Sequence, residues 1–92
     1  MIKASTLTIN LTAYRSAIIC TAASSNVSTK NLEACYVVIA KRINAKPAVI
    51  PLSNAANISY TVADRSITLI NNNDAYDAHV DIISNGVINI IS

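Results

Sequence analysis

The sequence contains one glycine, Gly86, one histidine, His79, and neither tryptophan nor phenylalanine. With a single glycine it holds neither a glycine-rich phosphate-binding loop nor the Gly-x-Ser-x-Gly turn of serine hydrolases. Four tyrosines are the only aromatic residues, so side chains that stack on nucleic-acid bases are scarce. We therefore expect a protein that is not an enzyme, binds no cofactor and has no nucleic-acid partner.

Charged residues are also scarce. They make up 13% of the 92 residues, about half of the usual fraction, whereas hydrophobic residues make up 52%. The longest apolar runs, residues 17–20 and 34–40, are far shorter than the roughly 20 residues that a transmembrane helix needs. The first residues resemble no secretory signal, so we expect neither a signal peptide nor a membrane partner. A single domain over residues 1–92 has a thin core, which leaves an excess of apolar side chains.

The few charges are distributed unevenly. Residues 1–46 hold six of the seven Lys and Arg residues and one acidic residue, whereas residues 47–92 hold Arg65 and four aspartates. A basic half and an acidic half are able to pair head to tail in an assembly. The alternative is that two solvated ends of the chain simply differ in charge.

Alternating apolar and polar residues predict a strand over residues 5–13, and the apolar stretch 17–20, which shifts the phase of this pattern, predicts a bend or bulge into a second strand over residues 16–22. Residues 48–50, before Pro51, are typical of a short edge strand. Residues 58–62 and 66–70 flank Ala63-Asp64-Arg65, which predicts a hairpin with a three-residue turn. Residues 31–43 fit a helix by their apolar spacing, but the run Tyr36-Val37-Val38-Ile39 favours a buried strand, and we favour the strand.

The end of the chain carries the strongest turn signal, because Asn85-Gly86 lies between two β-branched runs. A two-residue turn there places Ser84 opposite Val87 and Ile83 opposite Ile88. Both sides of this hairpin are then apolar, so its own small domain or another chain must cover it. The predicted fold class is all-β: a small antiparallel sandwich or barrel of seven to eight short strands ending in an Asn85-Gly86 hairpin.

Three groups of residues are candidates for chemistry. Asp77, His79 and Asp81, with Asp74 nearby, would lie together on a strand, but they lack the spacing of a metal loop, and we expect no metal site. Cys20 and Cys35 either form a disulfide or stay as buried thiols, and we favour free thiols. The basic connection with Lys41, Arg42 and Lys46 is too weakly charged for a typical nucleic-acid binder.

These observations predict a structural subunit that assembles as a homo-oligomer, together with other structural chains of a particle. The composition, rich in Ile, Ala, Ser, Thr and Asn, resembles that of phage virion components such as decoration, minor capsid or tail proteins, which implies assembly in a host cytoplasm. The alternative is an extracellular immunoglobulin-like binding module or adhesin. The residues that we predict to form the interface are Val80, Ile82, Ile83, Ile88, Ile90 and Ile91.

Overall fold

The computed structural model of the chain describes residues 1, 5–23, 34–42, 44–53, 57–73 and 75–91. All regular elements in these ranges are β-strands, which confirms the all-β prediction. They form two four-stranded antiparallel sheets: sheet A has the order β5-β6-β1-β8, and sheet B has the order β4-β3-β2-β7. The eight strands are β1 (Thr6–Leu11), β2 (Ser16–Ala23), β3 (Cys35–Ile39), β4 (Ala48–Ser53), β5 (Ile58–Ala63), β6 (Ser66–Asn71), β7 (Ala78–Ser84) and β8 (Ile88–Ile91).

The core lies between the inner faces of the two sheets, which pack as a sandwich. Ile9 and Leu69 of sheet A and Ile19 and Val38 of sheet B are fully buried in one apolar cluster. The sheets also meet through two aromatic rings, since Tyr36 of β3 and Tyr60 of β5 lie 4.9 Å apart in an edge-to-face arrangement. Each strand therefore has one face that this core covers and one that it does not.

The ambiguous segment forms a strand where the structure describes it. β3 covers Cys35–Ile39 and lies between β2 and β4, so the prediction of a strand is confirmed and the helical alternative is wrong there. Residues 31–33 and 43 lie outside the described residues. The run from Tyr36 to Ile39 suits this position, because aromatic and β-branched side chains pack well against the neighbouring residues on both adjacent strands.

Pro51 does not end β4, which continues to Ser53. The strand lies at the edge of sheet B and pairs on one side only. Proline is tolerated in an edge strand because its missing N–H group does not interrupt the hydrogen bonds between two strands. The pairing of β3 with β4 shifts register between Cys35 and Tyr36. The predicted edge strand is therefore confirmed and is three residues longer than expected.

The predicted hairpin between β5 and β6 is confirmed, but its turn is shorter than three residues. Ala63 pairs with Ser66, which leaves only Asp64 and Arg65 in the turn. Arg65 adopts a φ of 54°, a left-handed conformation that is uncommon outside glycine. Two backbone hydrogen bonds hold it there: the Arg65 N–H donates to Ala45 O at 3.0 Å, and the Leu11 N–H donates to Arg65 O at 2.9 Å.

The prediction of a hairpin at Asn85-Gly86 is wrong. β7 pairs with β2 in sheet B, with Ile83 opposite Ile18, whereas β8 pairs with β1 in sheet A, with Ile90 opposite Ile9. The residues between them therefore cross from one sheet to the other. A type I′ turn needs positive φ at both central residues, and neither Asn85 nor Gly86 has one.

Local contacts explain why the chain crosses here instead of turning back. Asn85 Oδ1 accepts a hydrogen bond from the Ser16 N–H at 2.9 Å, which ties the crossing to the start of β2. Thr12 Oγ1 donates to Val87 O at 2.9 Å, which ties it to the end of β1. A Cβ atom on Gly86 would lie 2.8 Å from Arg15 Cγ, so glycine permits a close approach rather than a tight turn.

Candidate functional site

The most unusual surface of the molecule is the outer face of sheet B. Ile83 of β7 lies opposite Ile18 of β2, Ile18 lies opposite Val37 of β3, and Val37 lies opposite Ile50 of β4. These four residues, which we call the apolar row, therefore cross the whole sheet on the face that points away from the core. Ile83 is 72% exposed, Ile50 is 49% exposed and Ile18 is 41% exposed.

The apolar surface extends beyond the apolar row on one side, where Ile39, 41% exposed, lies between Ser16 and Ala48. A shallow depression of about 320 Å³ lies over part of the row. It is lined by Ser16, Ala17, Ile18, Val37, Ile83, Ser84 and Asn85.

Charges lie at the two ends of this face and have opposite sign. The exposed Lys41 and Arg42 follow β3 after the buried Ala40, at the end of the sheet where β2 begins. Asp81, also exposed, faces Cys20 on the other side of the apolar row, and His79 follows one row further on. The face thus has a basic end, an apolar centre and an acidic end.

The outer face of sheet A has different chemistry. Thr61, Thr68 and Thr8 form one row across three strands, and the Oγ1 atoms of Thr8 and Thr68 are hydrogen-bonded at 2.8 Å. Ile70 and Ile91 interrupt an otherwise polar surface. Its hydroxyl and amide side chains are those of Thr6, Thr8, Asn10, Ser59, Thr61, Ser66, Thr68 and Asn89.

The six residues predicted as an interface are divided between the two sheets. Ile83, Ile90 and Ile91 are more than half exposed. Val80, Ile82 and Ile88 are half-buried and pack against the core, so this chain already covers part of each. The two-sided hairpin on which the prediction rested does not form.

Sequence reasoning missed three members of the apolar row: Ile18, Val37 and Ile50. A signal for two of them was present, because residues 17–20 and 36–39 are continuous apolar runs without polar alternation. Such runs are typical of strands with apolar side chains on both faces. In this fold the second face of those strands is the outside of the sandwich.

The candidate metal ligands do not come together. His79 and Asp81 share an exposed face of β7, Asp77 precedes the strand, and Asp74 lies outside the described residues. Among the residues that the structure describes, no three His, Cys, Asp or Glu side chains are placed to hold one ion. The described part of the chain likewise contains no helix of the length and hydropathy that crossing a bilayer requires.

The two cysteines are direct neighbours on the outer face of sheet B. Cys20 of β2 lies opposite Cys35 of β3, and both are free and half-buried. A hydrogen bond with Cys35 raises the pKa of the Cys20 thiol, and burial and the negative charge of Asp81 act in the same direction. Cys20 therefore holds its proton more tightly than an ordinary thiol.

A second depression, of about 380 Å³, lies at the end of sheet A beside the β5–β6 turn. Among the described residues, Arg65 Nε is buried there without a hydrogen-bond partner. The lining residues are Asn10, Leu11, Thr12, Asp64, Arg65, Val87 and Asn89.

Comparison with protein-family models, with curated proteins and with solved structures found no match to this chain.

Proposed function

We propose that this protein is a structural subunit that assembles by pairing the outer face of sheet B with the same face of a second copy. The observation that carries the proposal is the apolar row, which crosses all four strands of the sheet on its uncovered side. Monomeric soluble proteins rarely expose contiguous apolar patches of this kind without using them.

The contribution of the apolar row to association follows from its exposed area. Fully burying an Ile or Val side chain contributes about 1.5–3 kcal/mol, so side chains that are already about half-buried contribute about half of that each. Two copies that meet face to face bury both rows at once. Such a surface stabilises a dimer without any hydrogen bond across its centre.

The charge pattern favours a second copy as the partner. A two-fold axis perpendicular to the strands and lying in the interface sets the copies antiparallel, with the basic end of one face over the acidic end of the other. The end of the face that carries Lys41 and Arg42 in one copy then lies over the half of the partner's face that carries Asp81. A parallel arrangement would place like charges together and is disfavoured.

The larger particle is proposed from composition. Ile, Ala, Ser, Thr and Asn dominate the sequence and charge is low, as in phage virion components such as decoration, minor capsid or tail proteins. The exposed Ile90 and Ile91 at the edge of sheet A offer a second contact for other structural chains. In this proposal the subunit assembles in a host cytoplasm and its working location is the virion.

The proposal is tested by measuring molar mass with light scattering over a range of protein concentrations. We expect the wild-type chain to be a dimer or larger and the Ile83→Asp variant to be a folded monomer. A charge at residue 83 would be buried unpaired in the interface, yet it costs the monomer little because Ile83 is 72% exposed.

The matched control is Thr61→Asp, on an exposed position of the edge strand β5 in the outer face of sheet A. It introduces the same charge and should leave the molar mass unchanged. A wild-type chain that is monomeric at high concentration, or an equal effect of both variants, would overturn the proposal.

A binding module is the alternative, and the polar depression beside Arg65 favours it. A buried guanidinium nitrogen without a partner is costly unless a ligand or water satisfies it. This alternative predicts a monomer whose melting temperature rises with a carboxylated ligand and no longer does so in the Arg65→Ala variant. Thermal melts of both proteins with and without acetate or sialic acid distinguish it from the assembly proposal.

A further inference from the structure

The alternation of hydrogen bonds between β2 and β3 determines how closely Cys20 and Cys35 approach. The Thr21 N–H donates to Ala34 O at 2.9 Å, and the Ala40 N–H donates to Arg15 O at 2.7 Å. Both are directly opposed pairs of the same register that places Cys20 opposite Cys35. Since hydrogen-bonded and non-hydrogen-bonded pairs alternate along antiparallel strands, the Cys20–Cys35 pair is of the non-hydrogen-bonded kind.

This kind of pair has the geometry that a disulfide requires. Non-hydrogen-bonded residues on antiparallel strands have Cα atoms about 4.5 Å apart, with their side chains on the same face. Disulfides span Cα separations of about 4.4–6.8 Å. Cys20 and Cys35 are direct opposite neighbours on the outer face of sheet B, so both side chains project from the same side of the sheet. The register of β2 and β3 therefore places the two cysteines where a disulfide can join them.

We propose that Cys20 and Cys35 form a reversible disulfide across β2 and β3 by exchange with a small-molecule disulfide. The pair is half-buried on the outside of sheet B, so a small reagent reaches it without unfolding of the sandwich. The inference does not rest on self-association, because both cysteines belong to one chain.

The exchange runs in two steps. The Cys35 thiolate attacks one sulfur of the small disulfide, the S–S bond of the reagent breaks, and one small thiol leaves. Cys20 then gives up its proton to solvent and attacks the Cys35 sulfur, which breaks the mixed disulfide and releases the second small thiol. Two protein thiols are oxidised to one disulfide, and one small disulfide is reduced to two thiols.

The charges around the pair set the order of attack. On β7, Asp81 lies directly opposite Cys20 and His79 lies one row further, whereas on β4 the residue opposite Cys35 is Ser53. Asp81 lies on the strand next to Cys20 but two strands away from Cys35. Its negative charge therefore disfavours a thiolate at Cys20 more than at Cys35. Cys35 is therefore the attacking sulfur and Cys20 the resolving one.

The experiment incubates the folded protein with oxidised glutathione and follows intact mass and free thiols. We expect a product that has lost two hydrogen atoms and both thiols, migrates as a monomer on a non-reducing gel and is restored by dithiothreitol. The Cys20→Ser variant should stop at the glutathione adduct. A stable adduct, a cross-linked dimer or unchanged thiols in both the wild-type chain and the Ile83→Asp variant would overturn the inference.

A matched control moves one thiol along the same strand face. The double variant Cys35→Ser, Val37→Cys leaves Cys20 diagonal to residue 37 at about 7–8 Å, and it should accumulate the adduct instead of closing the ring. If wild-type copies pair through the outer face of sheet B, the partner covers both cysteines. All reactions are therefore repeated in the Ile83→Asp variant, in which we expect this face to stay exposed. Closure in either background supports the disulfide, and failure in both refutes it whatever the oligomeric state.

Discussion

The outer faces of the two sheets are built on the same architecture but carry opposite chemistry. On sheet A three strands of the central row carry Thr61, Thr68 and Thr8 and only the edge strand β8 adds an isoleucine, Ile91, whereas on sheet B all four strands contribute to the apolar row. The threonines satisfy each other and solvent with hydroxyl groups, as the bond between Thr8 and Thr68 shows. Ile and Val side chains gain free energy only when another surface removes them from water. This difference is why the proposed assembly uses the outer face of sheet B and not that of sheet A.

The largest expected effect on self-association comes from replacing the apolar row of sheet B with threonine, the residue that predominates in the central row of sheet A. We expect the fourfold variant Ile18→Thr, Val37→Thr, Ile50→Thr, Ile83→Thr to remain folded, because threonine keeps the β-branched shape that suits a strand. Its self-association should weaken at least about 100-fold, since the apolar area available for burial is largely lost. Sedimentation equilibrium measures the dissociation constant, and circular dichroism checks the fold.

The converse exchange is the control for that prediction. Thr8→Val, Thr61→Val and Thr68→Val together give sheet A an apolar row of its own, and we expect larger oligomers than the wild type forms. If the fourfold threonine variant associates as tightly as the wild type, then the difference between the two outer faces has no bearing on assembly.

A smaller effect is expected from the charges at the ends of sheet B. Exchanging sign at one end, by Lys41→Glu or Asp81→Lys, should weaken association about two- to fivefold, because exposed ion pairs contribute about 0.2–1 kcal/mol each. The double variant should recover most of the affinity, and salt should reduce all of these differences. Asp64→Lys, in the turn of sheet A, is the control and should have no effect on the dissociation constant.

The smallest effect concerns pH and again belongs to sheet B. Burial raises the pKa of the Tyr36 hydroxyl above its ordinary value of 10.0, and the nearby Tyr60 adds to this. The folded protein therefore holds this proton more tightly than the unfolded chain, so its stabilising contribution is complete below pH 10 and is lost as the pH rises further.

We expect Tyr36→Phe to reduce the loss of unfolding free energy between pH 9 and pH 11 in urea titrations. Tyr14→Phe, at a position that is 77% exposed, is the control and should follow the wild-type curve. A Tyr36→Phe curve that declines as steeply as the wild type would place the alkaline sensitivity outside the core.

Local pattern was sufficient to predict most strands. The alternation of Leu7, Ile9 and Leu11 with threonine and asparagine predicted β1. The aromatic and β-branched run of residues 36–39 predicted β3 against a competing helical spacing. Both are properties of a few neighbouring residues, because strand periodicity and side-chain shape act locally. The turn of the β5–β6 hairpin was placed correctly to within one residue.

The pairing of the last two strands was not available from the sequence. Asn85-Gly86 is a strong hairpin signal, but the open edges of β1 and β2 offer β8 and β7 long-range partners, and the Asn85 side chain bonds to Ser16 instead. The residues that pair along those edges are 55 or more positions apart in the chain. A local turn preference of a few kcal/mol or less cannot outweigh two complete ladders.

By itself the sequence determined an all-β chain with more apolar side chains than one thin core can bury, because composition and periodicity act residue by residue. Only the tertiary structure decided where the excess lies. The strand order brings Ile18, Val37, Ile50 and Ile83 together from four separate segments, and it packs Ile88, half-buried, against the core. Which apolar residues meet depends on sheet register, and register is fixed by contacts between segments that are distant in the chain.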